Sequence, residues 1–571
     1  MNFAALKKNL KKDFSGLTKV KLAILGDTPT QLVNQAIRGY GFEAGLDLQI
    51  YEADFDQIEM QVMDQSSELY AFKPDFVYLF NSTQKLMSRF YKSDKTARKT
   101  LASDHIAELE ELFSAINAQL KCKIIYPNFP EINDAVFGNY ANKTDLSFTY
   151  QLRKTNFELM NLASKVKNVF ISDLSTLQNE HGRLNTFTPS IYINTGIVFN
   201  LDFLPLLAKS AIDIIQALSG RFRKCLILDL DNTTWGGIIG DDGLDNIQVG
   251  ELGIGKAFTE LQAYAKQLKE RGIILAICSK NTESIAMEPF EKHPDMVLRM
   301  DDIAVFVANW ETKVDNIRHI QSVLNIGFDS MVFLDDNPFE RNIVRENIPE
   351  LCIPELPEDP AEYVPYLQSL NLFETASLSE EDENRTLQYR EEAKRTTFKK
   401  SFASENEFLL SLHMQSEVRP FDSFYIPRIA QLSQRSNQFN LRTVRYTEQD
   451  ISGIVQDENY DTLYFTLSDK FGDHGLISFI ILKKENNSAF IDTWIMSCRV
   501  LKRSMENFVL NTIAELARKK GYKSLVGEYL PTPKNALVKD HYQDLGFKPE
   551  NGRWVLDLDN YSELNTFITK I

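Results

Sequence analysis

The run Cys225-Leu-Ile-Leu-Asp229-Leu-Asp231-Asn232-Thr233 constrains this chain more than any other stretch. Its four leading apolar residues read as a strand buried on both faces, and such strands belong to parallel sheets covered by helices. Two carboxylates stand just past the strand's end, which in an open α/β sheet is where ligands bind. Alternation sends Asp229 and Asp231 to the same side, so both can face one reacting group. Carboxylates this close repel, and they coexist only with a cation or a shared proton. A second acidic pair, Asp335-Asp336-Asn337, ends the apolar run Met331–Leu334 and can complete a cation site. Oxygen ligands of this kind suit Mg²⁺. Between the two pairs, Ser279 follows the strand at 273–278 and Lys313 lies near the start of a helix at 311–324. A hydroxyl and an ammonium are what a bound phosphoryl group needs to complete its shell. Each piece alone is commonplace, since a strand-terminal Asp can be a helix cap and a lone Lys is usually solvated. Their fixed order at strand ends and helix starts points to phosphoryl transfer.

The same alternation organises the rest of the chain. Short apolar runs at 21–25, 48–51, 76–80, 123–126 and 169–171 alternate with helix-like stretches at 30–40 and 101–120, which predicts a first doubly wound α/β domain over 1–219. The amphipathic stretch Pro205–Leu218 and Gly220 close it. A second parallel sheet with helices on both faces is expected over 220–372. The prolines of 354–360 and the acidic run 378–384 read as a linker. Adjacent strands at 462–467, 476–483 and 489–496, then a helix at 504–519 and a strand at 523–526, predict an α+β domain over 373–571.

With 571 residues, 43% of them apolar, the chain can bury several cores. Its 63 basic against 79 acidic side chains give a net charge of -16, which disfavours nucleic acid and anionic membrane surfaces. No apolar run approaches membrane-spanning length, and the lysine-rich start lacks a signal-peptide core. The five cysteines form no CxxC pair, so reduced thiols in a cytoplasm are expected.

The order DxDxT, strand-end Ser, Lys, then DD resembles the haloacid dehalogenase (HAD) superfamily. That resemblance implies an aspartyl-phosphate mechanism on a Rossmann-like core. Asp229 would be the nucleophile and Asp231 the general acid/base, with the Asp231 carbonyl, Asp335 and Asp336 as further Mg²⁺ anchors. Ser279 and Lys313 would hold the phosphoryl group, and Thr233 would support the turn. From Asp229 to Ser279 is 50 positions and from Ser279 to Lys313 is 34, so neither insert has room for a large cap domain.

The fuller motifs Asn232-Thr-Thr-Trp235-Gly236-Gly237, Cys278-Ser279-Lys280-Asn281, Asn309-Trp310 and Asp335-Asp336-Asn337-Pro338 look like the FkbH-like family, HAD subfamily IIIC. The segments 432–440, 469–475 and 542–547 resemble its C-terminal portion, which is similar to GNAT acyltransferases. This likeness implies a Mg²⁺-dependent enzyme that dephosphorylates a phosphoglyceroyl group from 1,3-bisphosphoglycerate and loads glycerate onto an acyl carrier protein. Asn281 and Asn337 would support the site. Cys278 is a candidate thioester carrier, set against a reading as a small buried strand residue.

In a GNAT-like domain the strand-to-helix turn would receive pantetheine phosphate through glycines and backbone N–H groups. Here it reads Arg499-Val-Leu-Lys502-Arg503-Ser504, without those glycines. Arg499, Lys502 and Arg503 are candidate contacts for a carrier's acidic surface or its phosphopantetheine, or else a solvated helix start. Near the N-terminus, Leu25-Gly-Asp27-Thr28 resembles the first block of SGNH hydrolases with threonine in place of serine, and no Asp-x-x-His follows, so a degenerate domain is expected. Two other readings stay open: a phosphatase acting on a small phosphorylated metabolite or sugar, and a carrier-docking scaffold with little catalysis.

Overall fold

The computed structural model describes residues 1–375, 385–399, 401–436, 438–497, 500–532 and 534–571. They form two compact units, Met1–Gln216 and Ala217–Ile571. The expected division between 372 and 373 separates two sheets inside the second unit. The acidic linker run 378–384 lies outside the described residues. Among the described residues no helix is long and apolar enough to cross a membrane.

The first unit carries a parallel sheet in the order β2-β1-β3-β4-β5, made of β1 (Thr18–Gly26), β2 (Leu46–Glu52), β3 (Phe76–Phe80), β4 (Lys123–Pro127) and β5 (Val169–Ser172). Each expected apolar run lies within one of these strands. All five residues of β3 are buried, as a central strand between two helical layers requires. The long helix Lys95–Gln119 starts where Asp94 accepts from the N–H groups of Thr96 and Ala97. β2 and β3 flank β1 on opposite sides, so the strand order reverses there, and Asp27 stands at that switch point.

In the second unit, β6 (Cys225–Leu228), β7 (Ile274–Ser279), β8 (Ile303–Ala308) and β9 (Met331–Leu334) make a parallel sheet in the order β8-β7-β6-β9. The order reverses at β6, so the crevice of this sheet opens between the ends of β6 and β9, where Asp229 and Asp335 begin their loops. The sequence reading lacks β8 and the helix Glu283–Lys292, which carries Pro289 in its interior. Together they fill the interval between Ser279 and Lys313, leaving no cap domain. The helix expected over 311–324 runs Lys313–Leu324, with the Thr312 side chain accepting from the N–H of Asp315.

A mixed sheet completes the unit: β10 (Met414–Ser416), β11 (Val418–Arg419), β12 (Tyr460–Asp469), β13 (Gly472–Glu485), β14 (Ser488–Met496), β15 (Ser524–Gly527), β16 (Lys548–Glu550), β17 (Arg553–Asp557) and β18 (Ile568–Lys570). β12, β13 and β14 are antiparallel neighbours, as expected. β14 and β15 are parallel and pair only over Ser488–Phe490 and Ser524–Val526. The helix Met505–Lys519 buries Phe508, Val509, Leu510 and Ile513 in this domain's core. The helix Arg385–Lys399 packs against β7, β8 and the helix Lys313–Leu324, and also against β13.

His541 sits at this core, its ring 4.8 Å from that of Phe439 and 4.6 Å from that of Trp494. Burial pushes its pKa down to about 3. The unfolded chain therefore binds a proton that the folded one refuses, and the neutral ring's contribution is present above the ordinary value of roughly 6.5 and is lost as pH falls toward 3. The melting temperature of the C-terminal sheet should drop between pH 7.5 and 5, and His541→Phe should flatten that drop in pH-dependent calorimetry.

Candidate active site

The backbone brings the acidic pairs together before any side chain acts. The Asp229 N–H donates to the Leu334 carbonyl at 3.0 Å, extending the β6–β9 ladder by one bond and setting Asp229 beside Asp335. The chain then turns: Asn232 adopts φ +54°, a left-handed conformation that asparagine tolerates. The N–H of Thr234 returns to the Leu230 carbonyl at 2.7 Å, and the Thr234 hydroxyl donates to the Asp229 carbonyl at 2.6 Å. Gly236 follows because a Cβ there would lie 2.7 Å from both Gln248 and Phe258 side-chain atoms.

Lys313, at the first turn of its helix, places Nζ 2.8 Å from Asp229 Oδ2 and 2.5 Å from Asp335 Oδ2. All three groups are buried, at 4%, 5% and 0% exposure. One ammonium thus faces two carboxylates, with Asp336 a third. Burial alone would lower the Lys313 pKa, but Asp229 and Asp335 outweigh it and hold it above its ordinary value. Burial and the Asp229 charge push Asp335 up to about 6, and the same two causes raise Asp336. The buried Asp229 Oδ1 has no hydrogen-bond partner. One oxygen each from Asp229, Asp335 and Asp336 lie within 4.8 Å of one another. An orphaned buried oxygen beside two more carboxylates fits a hard divalent cation, which would supply the missing positive charge.

Asp231 is not one of these three close carboxylates, and its oxygens are engaged by other donors. Its Oδ1 accepts from the Trp235 indole N–H at 3.0 Å and the Ile239 N–H at 3.0 Å, and its Oδ2 from the Asn281 amide at 3.1 Å. Burial raises its pKa, and the Asp229 charge adds to the rise against the lowering effect of those donors. A raised, oriented carboxyl group next to a buried carboxylate is suited to carry a proton. Thr233 does more than support the turn: its hydroxyl accepts the Asp336 N–H at 3.0 Å and so ties the two acidic loops together. Asn337 caps the helix Pro338–Asn347 and donates its own N–H to Asp335 Oδ1 at 2.9 Å. Ser279 ends β7 at 1% exposure.

Several contributing residues escaped sequence reasoning. Arg341, 5% exposed, donates through Nη1 to the carbonyls of Asp335 and Asp336 at 2.7 Å each and pairs through Nη2 with Glu355. Lys280 Nζ is held 2.6 Å from Glu340 Oε1. Trp235, quoted in the sequence as a motif residue without a role, is wholly buried, and its N–H orients Asp231. The exposed apolar side chains Trp310, Phe339 and Ile238 follow the ends of β8, β9 and β6.

The remaining candidates fall elsewhere. The Cys278 thiol is fully buried in the apolar cluster with Cys225, Ile227 and Ala276. Burial drives its pKa far above the ordinary thiol range. In this conformation the thiol packs within the core, Sγ lying 3.9 Å from the Lys313 carbonyl. Arg503 is corrected from a surface contact to a buried one: it is 5% exposed and pairs with Glu392 and Asp469. Arg395, 1% exposed, joins them with a two-pronged contact to Asp469 at 2.8 and 2.9 Å, and His474 Nε2 lies 3.1 Å from Arg395 and 3.2 Å from Arg503. Such a set is expensive to break once buried, so Arg503 is committed to holding the fold. Lys502 is exposed, at φ +62°. Arg499 and Asn437 lie outside the described residues. In the first unit, both oxygens of Asp27 accept the Ser82 N–H, at 3.0 and 2.9 Å, and the Thr28 hydroxyl is buried without a partner. His105 Nε2 sits 3.3 Å from the Tyr126 hydroxyl.

Comparison with known proteins decides the family. Residues 21–216 match the model of the FkbH N-terminal domain. The crystal structure of the N-terminal part of the protein BF1531 from Bacteroides fragilis, described as containing a phosphatase domain complexed with Mg, is 53% identical. The match covers 66% of this chain and 100% of that one, with a TM-score of 0.64. The chain belongs to the FkbH family. Within that family assignment, its parallel sheet β6–β9 is a HAD phosphatase core. Smaller overlaps involve the ribosomal-protein-S18-alanine N-acetyltransferase of Escherichia coli, at 18% identity over 25% of this chain and 89% of that one (TM-score 0.19). Another is the spermidine/spermine N-acetyltransferase SpeG of Vibrio cholerae, at 15% over 26% and 96% (TM-score 0.21). No curated protein matches.

Replacing Lys313 tests the charge balance of this FkbH site. Lys313→Met leaves Asp229 and Asp335 buried without their cation and should cost about 3 kcal/mol or more. Millimolar divalent cation should restore part of that loss, read by chemical denaturation with and without chelator.

Proposed function

We propose that this FkbH-family phosphatase acts with Mg²⁺ and works on a phosphoglyceroyl group derived from 1,3-bisphosphoglycerate, leaving glycerate as a thioester on an acyl carrier protein in the cytoplasm. The observation that carries the phosphatase chemistry is the buried Asp229, with one oxygen on Lys313 and the other without a partner beside Asp335 and Asp336. Mg²⁺ held by these three carboxylates would neutralise the oxygens of the transferring phosphoryl group. Asp229 attacks phosphorus as its bond to the leaving oxygen breaks, and Asp231, oriented by Trp235, Ile239 and Asn281, gives that oxygen its proton. Water then attacks the aspartyl phosphate, Asp231 takes back a proton, and inorganic phosphate leaves. Lys313 and Ser279 hold the phosphoryl oxygens through both halves. A site without a cap domain suits a substrate carried on a protein arm: the carrier thiol displaces the acyl phosphate, and the Asp229 chemistry removes the remaining phosphate ester.

A second reading is favoured by the burial of Cys278, which weighs against an acyl relay there: a phosphatase for a free phosphorylated metabolite. Intact-protein mass spectrometry of a phosphopantetheinylated carrier, incubated with the chain, Mg²⁺ and freshly generated 1,3-bisphosphoglycerate, separates the two. The loading reaction predicts a phosphate-free glyceryl adduct that Asp229→Asn abolishes. Steady phosphate release from small esters with no adduct on any carrier would leave only the second reading. Asn281→Ala should lower turnover about tenfold with metal affinity little changed, because it frees Asp231 without touching the metal carboxylates.

A further inference from the structure

The apolar surface around the phosphatase sheet is gathered on one edge. Between residues 217 and 375 the large apolar side chains exposed to water are Ile238, Leu252, Ile254, Ile285, Trp310 and Phe339. Each stands on a segment that runs from the C-terminal end of a strand into the helix after it: the first three follow β6, Ile285 follows β7, Trp310 follows β8 and Phe339 follows β9. Asp229, Ser279 and Asp335 occupy those same strand ends. The opposite edge of the sheet carries no such side chain among the described residues. Exposed apolar surface is therefore concentrated where the phosphatase centre opens.

Trp310 is 74% exposed and Phe339 67%, together roughly 300 Å² of aromatic surface in water. Apolar area of this extent marks a binding surface when charge edges it. In the order β8-β7-β6-β9 the strands that carry these two rings lie three spacings, roughly 14 Å, apart. Both rings are displayed by loops that are already held. Asn309 and Asn316 exchange amide hydrogen bonds of 3.1 and 2.8 Å, and Asn309 Oδ1 also accepts the Glu311 N–H at 2.9 Å, which braces the backbone on either side of Trp310. Phe339 follows Pro338, and its N–H donates to Asn337 Oδ1 at 2.9 Å. Aromatic groups on a fixed backbone lose little freedom when a ligand covers them.

Charge decides what can lie there. Within three residues of the six apolar groups stand four exposed carboxylates, Asp241, Glu251, Glu283 and Glu311, against one exposed ammonium, Lys256. Lys280, after β7, is engaged by Glu340 at 2.6 Å. Such an edge repels an anionic body and accepts an uncharged one. The phosphate itself is met further in, by Lys313.

We propose that Trp310 and Phe339 are specificity-determining residues of this phosphatase, holding the uncharged, amide-bearing arm on which the phosphorylated acyl group arrives. The proposal rests on the carrier-borne reading above. Without a cap domain the centre has no lid of its own to grip the group beyond the phosphate, and these two rings supply that contact. Flat aromatic faces pack against amide planes and methylenes and require no charge on the arm.

Phosphate release by the full chain with Mg²⁺ tests this with two substrates, S-(3-phosphoglyceroyl)pantetheine and the S-methyl thioester of the same acyl group. Both lose phosphate from the same ester oxygen, so a difference in KM reads the arm alone. The wild type should show a KM about tenfold lower for the pantetheine thioester, with kcat within twofold. Trp310→Ala and Phe339→Ala should each raise that KM severalfold and leave the methyl thioester within twofold, and Trp310→Phe should keep most of the preference. Equal KM values for the two thioesters in wild type, or a preference that both alanine variants retain, would overturn the assignment of these rings and leave the loading reaction standing. Phosphate released from free phosphomonoesters but from neither thioester would remove the carrier-borne reading and this proposal with it.

Discussion

One ammonium between two buried carboxylates governs the centre of this molecule. Lys313 cannot neutralise Asp229, Asp335 and Asp336 together, and desolvated charge of one sign is costly. The fold holds them there with backbone bonds and with Arg341, whose guanidinium grips the carbonyls of the very residues whose side chains repel. The repulsion is thus built into the resting site, and it is relieved by an added cation or by a proton on one of the carboxyl groups. The same constraint fixes Asp231: turned onto Trp235, Ile239 and Asn281, it stands outside the cluster and is oriented in advance, so reaction requires little reorganisation.

The parts of this centre that sit at strand ends could be read from the residues alone. Asp229, Ser279, Lys313 and Asp335 each follow or precede a run whose period declares it a strand or helix, and topology does the rest. What eluded such reading depends on contacts between distant segments. Arg503, beside Lys502 at a helix start, has the look of a solvated pair, and its burial is decided by Glu392 and by Asp469, which belong to a separate helix and a hairpin. Thr234, adjacent to the expected Thr233, joins it in the turn because its hydroxyl reaches the Asp229 carbonyl, a contact invisible without coordinates. β8 was missed although its residues are apolar, since Pro289 in the preceding helix masks the helical period that would have framed it as a strand.

The cluster of Arg395, Arg503, Asp469, Glu392 and His474 does for the C-terminal sheet what Arg341 does for the acidic loops. It fastens the helix Arg385–Lys399 to the hairpin between β12 and β13. The other side of that helix lies against the phosphatase sheet, where Tyr389 joins the apolar cluster under β6 and β7. A single helix is therefore shared between two cores, held by an apolar contact on the phosphatase side and an ionic contact on the other.

That sharing sets an order on synthesis. The phosphatase sheet is complete once Leu334 of β9 has emerged, but the helix carrying Tyr389 begins only at Arg385, and its ionic anchors at Asp469 and Arg503 come later still. Through that interval the nascent chain displays an apolar face awaiting its cover, at an elongation rate of roughly 5–20 residues per second. The seam between the two cores can therefore close only well after the phosphatase sheet is complete, and it is open to chaperones while residues 335–503 are being made.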